Sequence, residues 1–188
     1  MYCNNNPIRY YDPTGHSIKS LIKSVFSDFL DPCVEQIKMA WAELIPGTLA
    51  FGKSVSVSFG GRLGYSEGMA VDGLGNIGYY TSKSIGGGTP SASGVVYASF
   101  TNSPTIENLY GTSYQVGGSI PIAGYEYVFF QDFDDPSIYY TGSTIAIGET
   151  LSSWMLVELH AEVASTEINE TKNIFTQYNS ISQQVKNW

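Results

Sequence analysis

Polar and apolar residues alternate along much of the middle of this chain. From Ser54 to Phe59, serines take every second position, and Val55, Val57 and Phe59 fill the places between. A period of two predicts a β-strand with two chemically different faces. The same period returns at Gly94–Thr101, where Val96, Ala98 and Phe100 stand opposite Val95, Tyr97 and Ser99. Turn formers separate such stretches: Gly60-Gly61, Asp72-Gly73-Leu74-Gly75-Asn76, Gly86 to Pro90, Asn102-Ser103-Pro104 and Asp132 to Pro136. The second of these is a strong hairpin signal. Tyr114–Ile122 and Tyr125–Gln131 are spaced to pair across Ala123-Gly124, and Ser137–Ile147 and Met155–Thr166 complete the series. About eight strands between positions 53 and 168 predict an antiparallel meander that closes as a barrel or folds over as a sandwich. Glycines inside the strands, such as Gly78, Gly117, Gly118 and Gly142, suit the bends of a closing barrel.

The period changes at both ends. Ile18, Leu21, Ile22, Val25, Phe26 and Phe29 fall on one helical stripe after a capping Ser17. Asp31-Pro32 reads as a cap and first helical residue, so a second helix is expected there, with Val34, Ile37, Trp41 and Leu44 on its apolar face. After a capping Asn169, Ile174, Tyr178, Ile181 and Val185 repeat at helical spacing. The expected class is mainly β with flanking helices (α+β): two N-terminal helices over about 17–45 and one C-terminal helix over about 169–186. The second helix is too short to span a bilayer.

Composition sharpens this picture. The 188 residues are 43% hydrophobic and only 14% charged, with 20 glycines and 14 tyrosines. That balance fits short strands and tight turns and argues against disorder. The net charge is -8, from 9 basic and 17 acidic residues, so a clustered basic footprint for nucleic acid is not expected. Cys3 and Cys33 are too few for a disulfide framework or a cysteine zinc site.

Candidate chemistry is sparse. Glu158, His160 and Glu162 share one face of the last strand, at i, i+2 and i+4. They could serve as catalytic residues, through a bound metal or a carboxylate–imidazole acid/base pair. The plain alternative is a half-buried strand with its polar face in water. Asp132, Asp134 and Asp135 are dense enough to hold calcium but lack the glycine and distal glutamate of an EF-hand loop, so they read as a solvated turn. Gly86-Gly87-Gly88 has no following Lys-Ser/Thr and no βαβ setting, so hairpin flexibility accounts for it better than phosphate binding. No nucleophile elbow and no zinc-deaminase motif is visible. No cofactor is identified by these residues.

The opening stretch carries a further signal. Tyr2-Cys3-Asn4-Asn5-Asn6-Pro7-Ile8-Arg9-Tyr10-Tyr11-Asp12-Pro13-Thr14-Gly15-His16 resembles the junction that closes the core of Rhs/YD-repeat proteins. In that family a YD-repeat shell precedes the junction, and a variable C-terminal domain, often a toxin, follows it. The resemblance covers only about residues 2–17. It implies that 1–16 end such a core and that 17–188 form a single C-terminal domain, with an Rhs-core shell and a cognate immunity protein as partners. It implies a polymorphic toxin that is secreted or at the cell surface, exported as part of a larger protein, since no signal peptide is visible. The leading expectation is an effector that binds a ligand, receptor or membrane through its β-barrel or sandwich. One alternative is a toxin enzyme with a hydrolase or transferase site at Glu158, His160 and Glu162. The other is a non-toxic surface-binding module.

Overall fold

The computed structural model describes residues 18–132, 134–152 and 157–187. They fall into two compact units: residues 38–174, and the helices outside that range. The larger unit is the strand-rich one. Its strands are β1 (Thr48–Phe59), β2 (Gly61–Asp72), β3 (Asn76–Gly88), β4 (Ser91–Thr101), β5 (Gly111–Ile120), β6 (Ala123–Gln131), β7 (Tyr139–Ser152) and β8 (Glu158–Asn173). All pairs are antiparallel, and the sheet closes as a barrel in the order β1-β2-β3-β8-β5-β6-β7-β4. The expected closed antiparallel β architecture is therefore present, and it is a barrel.

Two hairpin meanders, β1-β2-β3 and β5-β6-β7, make most of the wall. β4 joins β7 to β1, and β8 joins β3 to β5. Turn chemistry explains the hairpins. Gly60 and Gly75 have φ of 86° and 81°, where an L side chain is strained. In the second turn the fully buried Asp72 accepts the N–H groups of Leu74 and Asn76 at 2.9 and 3.0 Å.

Register fixes the barrel's shape. Paired residues followed round the ring from Ser58 run through Arg62, Gly86, Glu162, Gln115, Val128, Gly142 and Thr101, and return to β1 at Thr48, ten positions from the start. Eight strands with that stagger tilt by roughly 40° and enclose an interior only wide enough for side chains and one small guest.

The two faces are distributed in an unusual way. Ser56, Ser58, Arg62, Ser82, Glu158, His160 and Glu162 point inward and are buried. Val55, Val57, Leu63, Ile85, Val96, Ile145, Ile147 and Leu159 point outward and are exposed. The expectation that the Glu158–Glu162 face would meet water is therefore corrected. A period of two establishes two faces, but closure of the sheet decides which one is enclosed.

A small apolar core fills part of the lumen. Ala50, Ala70, Tyr80 and Ile106 cluster there, with Tyr97, Leu109 and Ile168 against them. Ile106 comes from the connection between β4 and β5. Its short 3₁₀ segment (Ile106–Leu109) delivers a wholly buried side chain, and its N–H donates to Asp72 Oδ2 at 3.1 Å.

The helical unit shows one departure in detail. α1 (Ile18–Ser24) runs through a π-helical segment (Val25–Leu30) into α2 (Asp31–Leu44), so the two N-terminal helices are joined. Pro32 has no N–H and crowds the carbonyl four residues before it. The helix widens just ahead of it, and the Asp31 N–H donates to Phe26 O, five residues back. Asp31 is thus inside the joined helix. Its carboxylate accepts the Tyr178 and Ser182 hydroxyls at 2.9 and 3.0 Å and pairs with Lys186, all on α3 (Ile174–Lys186). α3 begins later than position 169 because residues 169–173 continue β8 beside the start of β3. Asn173 Nδ2 donates to Leu74 O and Asn76 Oδ1 there.

Truncating Ile106 removes the largest wholly buried side chain of the lumen. Ile106→Ala is expected to cost about 2–5 kcal/mol, read as a lower denaturant midpoint. An exposed control such as Ile122→Ala is expected to stay within about 0.5 kcal/mol.

Candidate functional site

β8 carries the three residues that the alternation singled out, and all of them enter the lumen. Glu158, His160 and Glu162 are only 2%, 7% and 8% exposed. Strands one place beyond the immediate neighbours of β8 add partners. β2 supplies Arg62, whose Nε donates to Glu162 Oε2 at 3.1 Å and whose Nη1 pairs with Glu158 Oε1. β6 supplies Glu126, with Oε1 2.9 Å from His160 Nε2. Three serines complete the shell. Ser84 donates to Glu162 Oε2 at 2.9 Å, Ser91 to Glu158 Oε1 at 3.1 Å and Ser119 to Glu158 Oε2 at 2.7 Å.

A glycine lets the strands carrying these charges come together. Gly86 pairs with Glu162 across β3 and β8. A methyl group there would stand 2.1 Å from Ala161 O and 2.5 Å from Glu162 Cα. The backbones could not then approach this closely.

Burial of so many ionisable groups sets their charge states. Desolvation of Glu158 opposes ionisation, but the nearby His160 imidazole, the Ser119 hydroxyl and the charge of Arg62 outweigh it, holding the carboxyl near a pKa of about 2. Burial alone would lower His160. Its contacts with Glu126 and Glu158 prevail and raise it to about 9. The neutral imidazole is thus disfavoured near pH 7, which works against His160 as a general base there. His160 Nδ1 lies 3.4 Å from Glu158 Oε1, within ion-pair reach, yet it makes no hydrogen bond.

Beside the charges lies a cavity of about 130 Å³, lined mainly by serine and threonine hydroxyls with Arg62, Glu126, Glu158, His160 and Glu162. It can hold a few waters or one small polar group. Its lining also includes Tyr80 and Tyr97, whose hydroxyls are hydrogen-bonded to each other, and reaches Ala50 and Leu109 of the apolar cluster.

The acidic run is a different case. Asp132 accepts the N–H groups of Asp134 and Asp135 at 2.8 and 2.9 Å, together with the Asn108 amide and the Tyr140 hydroxyl. Asp135 accepts the Ser137 N–H and hydroxyl. These carboxylates order their own exposed turn. Among the described residues, the group whose ligand atoms converge as a metal site would require is Glu126, His160 and Glu162.

Strand-by-strand reading passed over Glu126 and did not join Arg62 to the carboxylates of β8. The available signal was phase: Arg62 stands in step with Gly64 and Ser66, and Glu126 stands between Tyr125 and Tyr127. No family model matches this sequence, and comparisons with curated proteins and with solved structures gave no match.

Two outcomes test this network. Arg62→Met leaves Glu158 and Glu162 buried without their guanidinium and is expected to cost about 3–5 kcal/mol, measured by denaturant unfolding at pH 7. The pH dependence follows from His160. Its raised pKa adds stability that is fully present below 6.5 and lost as pH rises towards 9. The unfolding midpoint is expected to fall over that interval, and the fall is expected to be smaller in His160→Gln.

Proposed function

We propose that this chain is the C-terminal effector domain of an Rhs-type protein and acts at a membrane through the outer wall of its barrel. The observation that carries this reading is the inverted distribution of polarity. Hydroxyl and charged side chains fill the lumen, while Val96, Tyr127, Ile145 and Ile147 lie in the open on the outside. A wall of that kind suits hydrocarbon or its interface, where closed strands leave no backbone group unpaired. The junction resemblance at residues 2–17, which lies outside the described residues, supports the effector context. No described helix is long and apolar enough to cross a membrane.

The wall is not uniform, and this selects the side that meets lipid. The β1-β2-β3 side carries Lys53 and Glu67, paired at 2.8 Å, and the exposed Lys83 among its outward Val55, Val57, Leu63 and Ile85. The β4-β7-β6-β5 side presents Val96, Phe100, Ile145, Ile147, Tyr125, Tyr127, Phe129, Tyr114 and Val116, with Glu149 near one end of β7. Tyrosines on this side suit the headgroup boundary. The apolar side is therefore turned to the bilayer and the charged side away from it.

A second reading is a toxin enzyme working in the lumen, favoured by the convergence of Glu158 and Glu162 on Arg62 with His160 beside Glu158. Expression separates the two. Growth arrest from the periplasm that persists in His160→Gln fits the membrane reading. Arrest from the cytoplasm that His160→Gln abolishes fits the enzyme.

The direct test is flotation with phosphatidylcholine vesicles. The full chain is expected to float with the lipid. Ile145→Arg is expected to weaken partition by about 2–4 kcal/mol, whereas Lys83→Ala on the opposite side is expected to leave it unchanged or strengthen it. A chain that stays in the aqueous fraction, or equal loss in both variants, would contradict the proposal.

A further inference from the structure

The lumen holds an unequal set of charges. Glu126, Glu158 and Glu162 supply three carboxylates, and Arg62 supplies one guanidinium. Enclosed charge is costly unless it is compensated. Arg62 is engaged by Glu158 and Glu162 through Nη1 and Nε. Glu158 is further saturated by Ser91 and Ser119. The carboxylate left without a cationic side chain other than histidine is Glu126.

Geometry gathers the remaining ligand-type atoms at one place. Glu126 on β6 and His160 and Glu162 on β8 each offer an atom within 4.8 Å of the other two. Oxygen and nitrogen ligands about 2.1 Å from a common ion lie roughly 3.4 Å apart, so small side-chain rotations close the set. β6 and β8 are not neighbours in the ring, because β5 lies between them. Glu126 and His160 both pair with Gly117 on β5, which puts no side chain between them. A separate observation concerns His160 itself: its ring is buried in the lumen with Nε2 2.9 Å from Glu126 Oε1, and Nδ1, 3.4 Å from Glu158 Oε1, has no hydrogen-bond partner. A buried imidazole nitrogen normally has one. The adjoining cavity of about 130 Å³ has room for the waters that a three-residue site needs to complete its coordination.

From this convergence we infer that the barrel lumen binds one divalent transition-metal cation of the zinc type, held by Glu126, His160 and Glu162. Glu158 belongs to the arginine, and Glu126 takes the place that the spacing along β8 alone would give to Glu158. A mixed imidazole–carboxylate set without sulfur suits Zn²⁺ or Mn²⁺ and is poorly matched to Ca²⁺, which takes six to eight oxygens. The inference is independent of how the outer wall is used.

The test is equilibrium dialysis of the metal-stripped full chain against Zn²⁺, followed by X-ray absorption at the zinc edge. The expected result is one tightly held Zn²⁺ per chain, with imidazole nitrogen and carboxylate oxygen in the inner shell. Glu126→Gln keeps side-chain shape while removing a ligand charge, and it is expected to weaken binding by at least about tenfold. Circular dichroism establishes that this variant retains its strands. Four results would overturn the inference: no bound zinc, a sulfur ligand from Cys3 or Cys33, binding unchanged in Glu126→Gln, or binding lost instead in Asp132→Asn at the exposed acidic turn. Should Glu126→Gln fail to fold, the absorption spectrum of the unsubstituted chain decides, through the presence or absence of the imidazole.

Discussion

The bracket that Glu158 and Glu162 form around Arg62 is the constraint on which the barrel's interior depends. Three charges are enclosed between β2 and β8, strands that are not adjacent in the ring, with β3 between them. None of the three can be left alone without a large desolvation cost. Their mutual satisfaction requires the ring to close in one register, with Gly86 narrow enough for β3 to lie between them. The serines at positions 84, 91 and 119 saturate the carboxylate oxygens that Arg62 leaves open. Charge pairing, and not apolar packing alone, therefore specifies this end of the lumen, while Ile106 and its neighbours fill the other part.

The outer wall follows from the same choice. A strand has two faces, and when the hydroxyl and charged face is enclosed the valines, isoleucines and tyrosines are left outside. Outside residues then need a medium or a partner that tolerates them. The membrane reading gives that exposure a purpose. The Lys53–Glu67 pair and Lys83 interrupt it with charge on the β1-β2-β3 side. In the proposed reading, lumen and wall would serve different ends on one scaffold: the lumen would supply conformational specificity and a cation site, and the wall would supply contact.

Much of the fold was legible in the sequence because its signals are local. Period-two alternation, Asp72-Gly73-Leu74-Gly75-Asn76 and the helical stripes each act within a few residues of themselves. The phase of the alternation was not legible. Val55 and Ser56 exchange roles between an ordinary half-buried sheet and this barrel, and only closure of the ring decides between the two. The site divides along the same line. Glu158, His160 and Glu162 are related by strand spacing, so they could be found together. Arg62 and Glu126 lie 96 residues and 34 residues away in sequence from the groups they meet. Their arrival depends on the register of the whole ring. The helix running through Asp31-Pro32 was misleading for a further reason: a proline that usually opens a helix is accommodated by a π-helical turn.

The central claim is that the barrel encloses its polar face and presents its apolar one. Single cysteines along β7, in a chain lacking Cys3 and Cys33, test it most directly through their reaction with a water-soluble maleimide. The account predicts that Ile145→Cys and Ile147→Cys react while Thr144→Cys and Ala146→Cys are protected. The opposite phase, or uniform reactivity along the strand, would contradict it.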